Sequence, residues 1–395
     1  MEPMLKKQIV FLLLFYCFLK PDIVFATISG TTELSTNSFQ NHLVQAIRKS
    51  FNLEDAAADT LLKKAIELEP ENPTGYAMEA MLHLLAYEMC FSPERRQKEK
   101  EAIFHYTEET FLRGQKRLFR HPKDSQAYLA MALAKIAKAS WAIKEKHYLV
   151  LIQETSSIWD YLEAAKSMDP HNDDVDFLMG LLHYHIDHFA GMIGIVSSLM
   201  VVEGNRRQGL TEIQTTAQKG YLLREMAQAQ LASIYLTYEK QPAKALPILE
   251  DLKIKFPNNY HFHFTYCLAL LELNRFAEAE AIASWIAKQI STGTPPFVPQ
   301  LLPRYYQLIG RMHFKKGEYG RAESFFQKAA TDKAFYNIRT QAKSLLYIGM
   351  IHDIRQERKY AEDYYRRVLK MNGAEGSAKI EAKEYLKKPY RINEK

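Results

Sequence analysis

Apolar residues recur at helical spacing along most of the chain, and short turn signals separate the stretches that carry them. Near the C-terminal end they follow a fixed order. A small residue is followed twelve positions later by a second small residue, and apolar residues stand four and seven positions beyond that. Gly310, Ala322, Phe326 and Ala329 follow this order. Because residues three and four apart share one helix face, the order predicts two antiparallel helices that cross where both side chains are small.

The same order recurs along the chain. The predicted crossing pairs are Ala46 with Ala58, Ser233 with Ala245, Cys267 with Ala279, Gly310 with Ala322, and Gly349 with Ala361. A weaker copy pairs Ser197 with Gly209. One such hairpin cannot bury its apolar face alone, whereas stacked copies can. The sequence therefore predicts an all-α solenoid of antiparallel helix hairpins.

The recurring unit resembles the tetratricopeptide repeat (TPR), whose period is about 34 residues. The stretches 65–73 (AIELEPENP) and 316–322 (KGEYGRA) are typical of it. The chain departs from the family in two ways: the favoured Trp is absent from its usual place in every unit, and only some units end in Pro. The proline-rich segment Gly293–Pro299 must form an extended loop. The resemblance implies a right-handed superhelix that presents a groove to another protein.

Turn signals and changes in the spacing between them divide the chain into six parts. They are a signal peptide (1–26), a mature N terminus that we expect to be flexible (27–37), TPR-like hairpins with elongated helices (38–170), central hairpins that include the apolar segment 189–202 (171–258), C-terminal TPR units (259–374), and a capping helix with a tail (375–395). Prolines at 70, 122 and 170 interrupt the elongated part. We predict helices there at roughly 74–91, 94–119, 124–146 and 148–168.

The first residues predict export. Lys6 and Lys7 precede the uncharged run Ile9–Leu19, which Lys20-Pro21-Asp22 ends. This run covers roughly half of a ~30 Å hydrocarbon core, so a retained anchor is the weaker alternative. A basic head, a short apolar run and the small residue Ala26 are typical of a secretory signal peptide. We expect cleavage near Ala26 and a location in the periplasm or cell envelope.

The central segment holds the candidate partner contacts. It resembles exported bacterial TPR-like proteins that have no known chemistry, in its glycine-bearing apolar hairpin and in the turn Gly204–Leu210. The uncharged run Phe189–Val202 is shorter than the ~20 residues that cross a bilayer, so we expect no transmembrane span after signal cleavage. The candidates are Met192, Ile195 and Leu199 on one helical stripe, with Arg206 and Arg207 at the next helix start. The alternatives are a stripe packed in the core and a solvated arginine pair.

Composition narrows the function classes without choosing one. Hydrophobic residues make up 47% and charged residues 25%, while Gly (16) and Pro (15) are scarce. This excludes collagen-like and low-complexity proteins. The net charge of +6 is a mild excess for 395 residues, and it predicts no nucleic-acid partner. Cys17 leaves with the signal peptide, so Cys90 and Cys267 are predicted to be buried free thiols.

Histidines form the densest cluster of candidate ligands. On a helix His183 and Asp187 share one face, whereas His185 and His188 share another, so the four do not converge as zinc requires. The pair Asp173-Asp174 is typical of a helix start. No catalytic or nucleotide-binding motif is visible in the sequence. We therefore expect no metal, no cofactor and no enzyme activity.

Two functions remain. The leading hypothesis is a non-enzymatic TPR scaffold for protein–protein interaction in the bacterial cell envelope, with peripheral envelope association. The alternative is a small-ligand-binding accessory subunit of a transport system, similar to the helical-repeat component of TRAP-type transporters. A deep apolar pocket with one or two convergent charges would favour the accessory, and an open polar groove would favour the scaffold.

Overall fold

The computed structural model describes residues 38–392 except 156, 194–203, 333 and 375. Regular secondary structure in these residues is helical, and they contain no strand. The chain divides into two compact units, Met1–Asn259 and Tyr260–Lys395. The predicted signal peptide, Ser197 and the stripe residues Ile195 and Leu199 lie outside the described residues.

The first unit contains eleven described α-helices in succession. They are α1 (Phe39–Phe51), α2 (Asp55–Leu68), α3 (Pro73–Met89), α4 (Pro93–Arg120), α5 (Ser125–Lys144), α6 (Tyr148–Thr155), α7 (Ile158–Met168), α8 (Asp173–Ile193), α9 (Arg206–Lys219), α10 (Arg224–Thr237) and α11 (Pro242–Lys255). Short turns join most of them, so neighbours in sequence pack against each other as antiparallel hairpins.

Local chemistry determines where these helices begin. Asn72 caps α3 by accepting the amide of Thr74 on its side-chain oxygen at 3.1 Å. Ser92 caps α4 in the same way, accepting the amide of Arg95 at 3.2 Å. A proline follows each cap, at the position where its missing N–H costs nothing.

Helix α3 lies at the centre of the N-terminal hairpins. It packs against α2, α4 and α5, and it buries nearly all of its residues between Pro73 and Tyr87. A helix that is covered on every side needs apolar residues all round, and α3 has them except at Thr74, Glu79, His83 and Glu88.

The sequence located the elongated helices well, with one error. The predicted helices at 74–91, 94–119 and 124–146 are confirmed as α3, α4 and α5 to within a few residues. The predicted helix at 148–168 is wrong, because two helices, α6 and α7, occupy it. Thr155 ends the first and Ser157 precedes the second. Hydroxyl side chains compete for backbone hydrogen bonds, which weakens a helix where they cluster.

The second unit repeats the hairpin more regularly. Its α-helices are α12 (Tyr260–Glu272), α13 (Phe276–Thr292), α14 (Leu302–Lys315), α15 (Tyr319–Thr331), α16 (Ile338–Ile354), α17 (Arg358–Lys370) and α18 (Ser377–Lys387), with 3₁₀ turns at Pro299–Leu301 and Phe335–Asn337. The predicted break after α13 is confirmed: Gly293 ends the helix in the left-handed region at φ 65°, and residues 294–298 are not helical. The segment is turned, not extended as predicted, because the Phe297 amide donates to the Thr294 carbonyl at 3.0 Å and Pro299 begins a 3₁₀ turn. Helix α18 covers α16 and α17 with Ala378, Ala382 and Tyr385.

All ten residues of the five main predicted crossing pairs are buried. Ala46, Ala58, Ala245, Cys267, Ala279, Ala322 and Ala361 are at most 1% exposed, Ser233 is 6% exposed, and Gly310 and Gly349 are buried as well. A Cβ atom on Gly310 would lie 2.7 Å from the Phe326 ring, and one on Gly349 would lie 2.5 Å from the Tyr365 ring. Each glycine thus makes room for the aromatic residue that stands four positions beyond its predicted partner.

The fold class is therefore all-α, with stacked antiparallel helix hairpins in each unit. No helix in the described part of the chain combines the length and apolar character that a bilayer crossing requires.

Candidate functional site

A polar pocket of about 450 Å³ opens in the first unit, where the turns before α3, α5 and α8 meet. We call it the turn pocket and define it by its lining residues, which are Phe39, Gln40, Leu43, Glu69, Asn72, Thr74, Arg117, Gln126, Asp169, His171, Asn172, Asp173, Asp174, Lys219, Tyr221 and Leu222. Its apolar floor comes from α1, and polar groups from several turns surround it.

Two of these turns are built alike. Asn72 follows Glu69 and Pro70, and Asn172 follows Asp169 and Pro170. The side-chain oxygen of Asn172 accepts the amides of Asp174 and Val175 at 3.1 and 3.3 Å, as Asn72 does for Thr74. Both turns therefore direct a capped helix start toward the pocket.

Asp174 fixes the far wall of the pocket. Its carboxylate accepts the backbone amides of Tyr221, Leu222 and Leu223 at 2.9–3.1 Å. Burial raises the pKa of Asp174, and the three amide bonds oppose that shift. The carboxylate joins the start of α8 to the turn between α9 and α10, so its role is structural.

Several other charged groups of the pocket are already engaged. Arg117 donates from Nε to Asp124 at 2.5 Å, and Glu69 accepts from the Asn72 side chain at 2.7 Å. Lys219 is exposed, and Tyr221 is 41% exposed. Together with the amides of Gln40 and Gln126, these two side chains offer amino, phenol and amide groups to a bound molecule.

The candidate partner contacts of the central segment lie elsewhere. The guanidinium of Arg206 donates to both carboxylate oxygens of Glu239 at 2.9 and 2.7 Å, and the backbone amide of Arg206 donates to Asp187 at 2.9 Å. Arg206 therefore holds α9 to the end of α10, whereas Arg207 is exposed. Met192 belongs to α8, but its side chain is outside the described residues, as are Ile195 and Leu199.

Two of the clustered histidines, His183 and His185, contact different partners. Nδ1 of His183 lies 2.7 Å from a carboxylate oxygen of Glu212. The ring of His185 packs edge-on against Tyr184 and Tyr238, with centroids 5.1 and 5.7 Å apart. These rings are held by a carboxylate or by aromatic neighbours.

The two cysteines of the described chain are buried and free of disulfides. Cys267 donates from Sγ to the carbonyl of Ala279 at 3.3 Å, so this crossing pair is also joined by a hydrogen bond. Burial raises the pKa of the Cys267 thiol to about 12, which keeps it protonated and unreactive.

Sequence reasoning missed two buried carboxyl groups. Glu79 on α3 is 0% exposed and Glu225 on α10 is 1% exposed. Burial raises the pKa of Glu79 to about 8 and the pKa of Glu225 to about 9. The sequence did contain a sign of the buried Glu79, because it is the one acidic residue between Pro73 and Tyr87.

Comparison with known proteins returns structures only. No family model matches the chain, and no curated protein matches it. A human IFIT1 dimer solved with m7Gppp-AAAA is 16% identical at a TM-score of 0.44, over 96% of this chain and 85% of that one. A tetratricopeptide repeat protein from Parabacteroides merdae is 16% identical at a TM-score of 0.32, over 77% of this chain and 99% of that one. These scores carry no argument about function, and the helices themselves define the fold class.

Proposed function

We propose that this protein is a non-enzymatic scaffold of the bacterial cell envelope, and that its turn pocket takes a polar segment of a partner protein. The observation that carries the proposal is the character of the pocket. It opens at the helix starts, and groups that can donate or accept hydrogen bonds make up most of its lining.

The chemistry of the pocket suits an extended peptide. Lys219 can pair with a carboxylate, the Tyr221 ring can cover an aliphatic side chain, and Gln40 and Gln126 can bond to the backbone of the peptide. Because the surrounding turns are held by caps and by Asp174, these groups need little reordering on binding.

The same character argues against the transport accessory. A site for one small ligand covers most of that ligand with apolar side chains and places a few polar groups within them. Polar groups exceed apolar groups in the lining of the turn pocket, and this supports the scaffold over the accessory.

Binding by two charge-reversal variants tests the proposal. Lys219→Glu reverses the exposed charge of the pocket, and Lys288→Glu makes the same change at an exposed position on α13, in the other unit. We expect wild type and Lys288→Glu to capture the same envelope protein, and Lys219→Glu to lose it while keeping its helical circular dichroism. Equal capture by all three proteins would contradict the proposal.

A further inference from the structure

Glu79 lies in the middle of α3 and has no hydrogen bond to either carboxylate oxygen, although it is 0% exposed. A buried carboxylate without partners is costly, and such groups in native proteins are normally paired or bound to a metal. Two further residues that could ligate a metal ion lie beside it. Asp59 on α2 and His83 on α3 offer ligand atoms that, with those of Glu79, all lie within 4.8 Å of one another.

The surroundings of His83 set the direction of its ring. Nδ1 lies 2.7 Å from a carboxylate oxygen of Glu99 on α4, and the ring stacks on Tyr106 with centroids 5.4 Å apart. A carboxylate at Nδ1 holds the proton there and leaves a lone pair on Nε2. That lone pair faces the Glu79 carboxylate, with 3.8 Å between Nε2 and Oε2.

We propose that Asp59, Glu79 and His83 form a binding site for a divalent transition metal ion of the zinc class. A cation between Nε2 of His83 and the two carboxylates would give the Glu79 carboxylate the partner that it lacks. In a tetrahedral site, ligand atoms about 2.0–2.2 Å from zinc lie about 3.3–3.6 Å apart, so the widest separation in the set must close by as much as roughly 1.3 Å when the ion binds.

The donor set defines the class of metal. One imidazole and two carboxylates suit zinc and its first-row neighbours, whereas calcium and magnesium prefer sites made of oxygen ligands alone. Three protein ligands leave a fourth position for water. Glu99 would serve as the outer carboxylate that orients the histidine, an arrangement common at metal-bound histidines.

The site has a route to solvent through its rim. The side chain of Asp59 is 31% exposed, and its Oδ2 is 2.7 Å from Nζ of Lys63, whose side chain is 57% exposed. A metal ion would take over Asp59 from this exposed ammonium group. The alternative is that a proton on Glu79 neutralises the carboxylate, in which case no metal ion is bound.

Titration of the chelator-stripped, tag-free full-length chain with ZnCl₂ separates these two occupants. We expect one equivalent of zinc to bind saturably and to raise the melting temperature by roughly 5 °C at a hundredfold excess over Kd, with no effect of MgCl₂ or CaCl₂. Glu79→Gln and His83→Gln should lose this response. Glu99→Gln, which changes only the outer carboxylate, should weaken binding about 10- to 100-fold.

Glu225→Gln is the matched control, because it also replaces a fully buried carboxyl of the first unit with an amide. It should bind zinc as wild type does. Wild-type protein without saturable zinc binding would overturn the proposal and leave a proton on Glu79, and so would Glu79→Gln protein that binds zinc normally. Neither result depends on the turn pocket, so this test can fail while the proposed scaffold function stands.

Discussion

At the scale of single residues, Glu79 and Glu225 of the first unit are acidic side chains whose charged form burial disfavours. Glu225 is the clearer case for stability, since Arg48, Lys255 and Arg224 only partly offset the effect of burial on its pKa. Its pKa is about 9 in the folded chain, compared with an ordinary value of 4.5. The folded state therefore keeps a proton that the unfolded state releases over most of this pH interval.

Stability should consequently fall as pH rises from about 4.5 to 9, by at most about 1.4 kcal/mol per pH unit for this group. Glu225→Gln preserves the shape of the side chain and removes the titration. We expect the variant to lose stability less steeply than wild type in denaturant unfolding from pH 5 to pH 9. Glu163→Gln, at an exposed position of the same unit, should follow wild type. If the free energy of unfolding fell equally steeply with pH in wild type and in Glu225→Gln, a raised pKa of Glu225 would be contradicted.

At the scale of helices, glycines decide how closely two hairpin arms pack. Gly310→Ala places a Cβ atom against the Phe326 ring and should destabilise the protein by about 1–3 kcal/mol. Gly320→Ala on the adjoining helix meets no atom within 4 Å and should stabilise it by roughly 0.5–1 kcal/mol. Chemical denaturation of both variants checks the pair. An unchanged free energy of unfolding for Gly310→Ala would show that the helix crossing can accommodate an added methyl group.

The helices and their crossings were predictable because the constraint is local. A small residue must stand where two arms meet, so the register from Gly310 to Phe326 is visible in the sequence alone. The break between α6 and α7 was missed, since hydroxyl residues around 156 weaken a helix without forbidding it.

The sites were harder to predict because they depend on contacts between distant segments. Asp174 bonds the turn at Tyr221–Leu223, and the Glu79 group draws on α2, α3 and α4. The sequence contains no periodic pattern that brings such residues together. The charge of Glu79 within an apolar helix was the one local sign.

At the scale of the whole molecule, the proposed envelope role depends on export, which the charged head and the run Ile9–Leu19 predict. N-terminal sequencing of protein purified from the envelope of a bacterial host should begin near Thr27, just after Ala26. Intact Met1 in protein recovered from the cytosol would contradict export, without bearing on the fold.

The central claim is that a partner protein occupies the turn pocket, and photo-crosslinking from the pocket tests it most directly. A benzophenone side chain in place of Tyr221 sits in the pocket, and the same group in place of Tyr360 stands on an exposed face of α17 in the second unit. Illumination of living cells should give a discrete crosslinked protein band from position 221 and none from position 360. Lys219→Glu should abolish the band. The same bands from both positions, or none from position 221, would contradict the account.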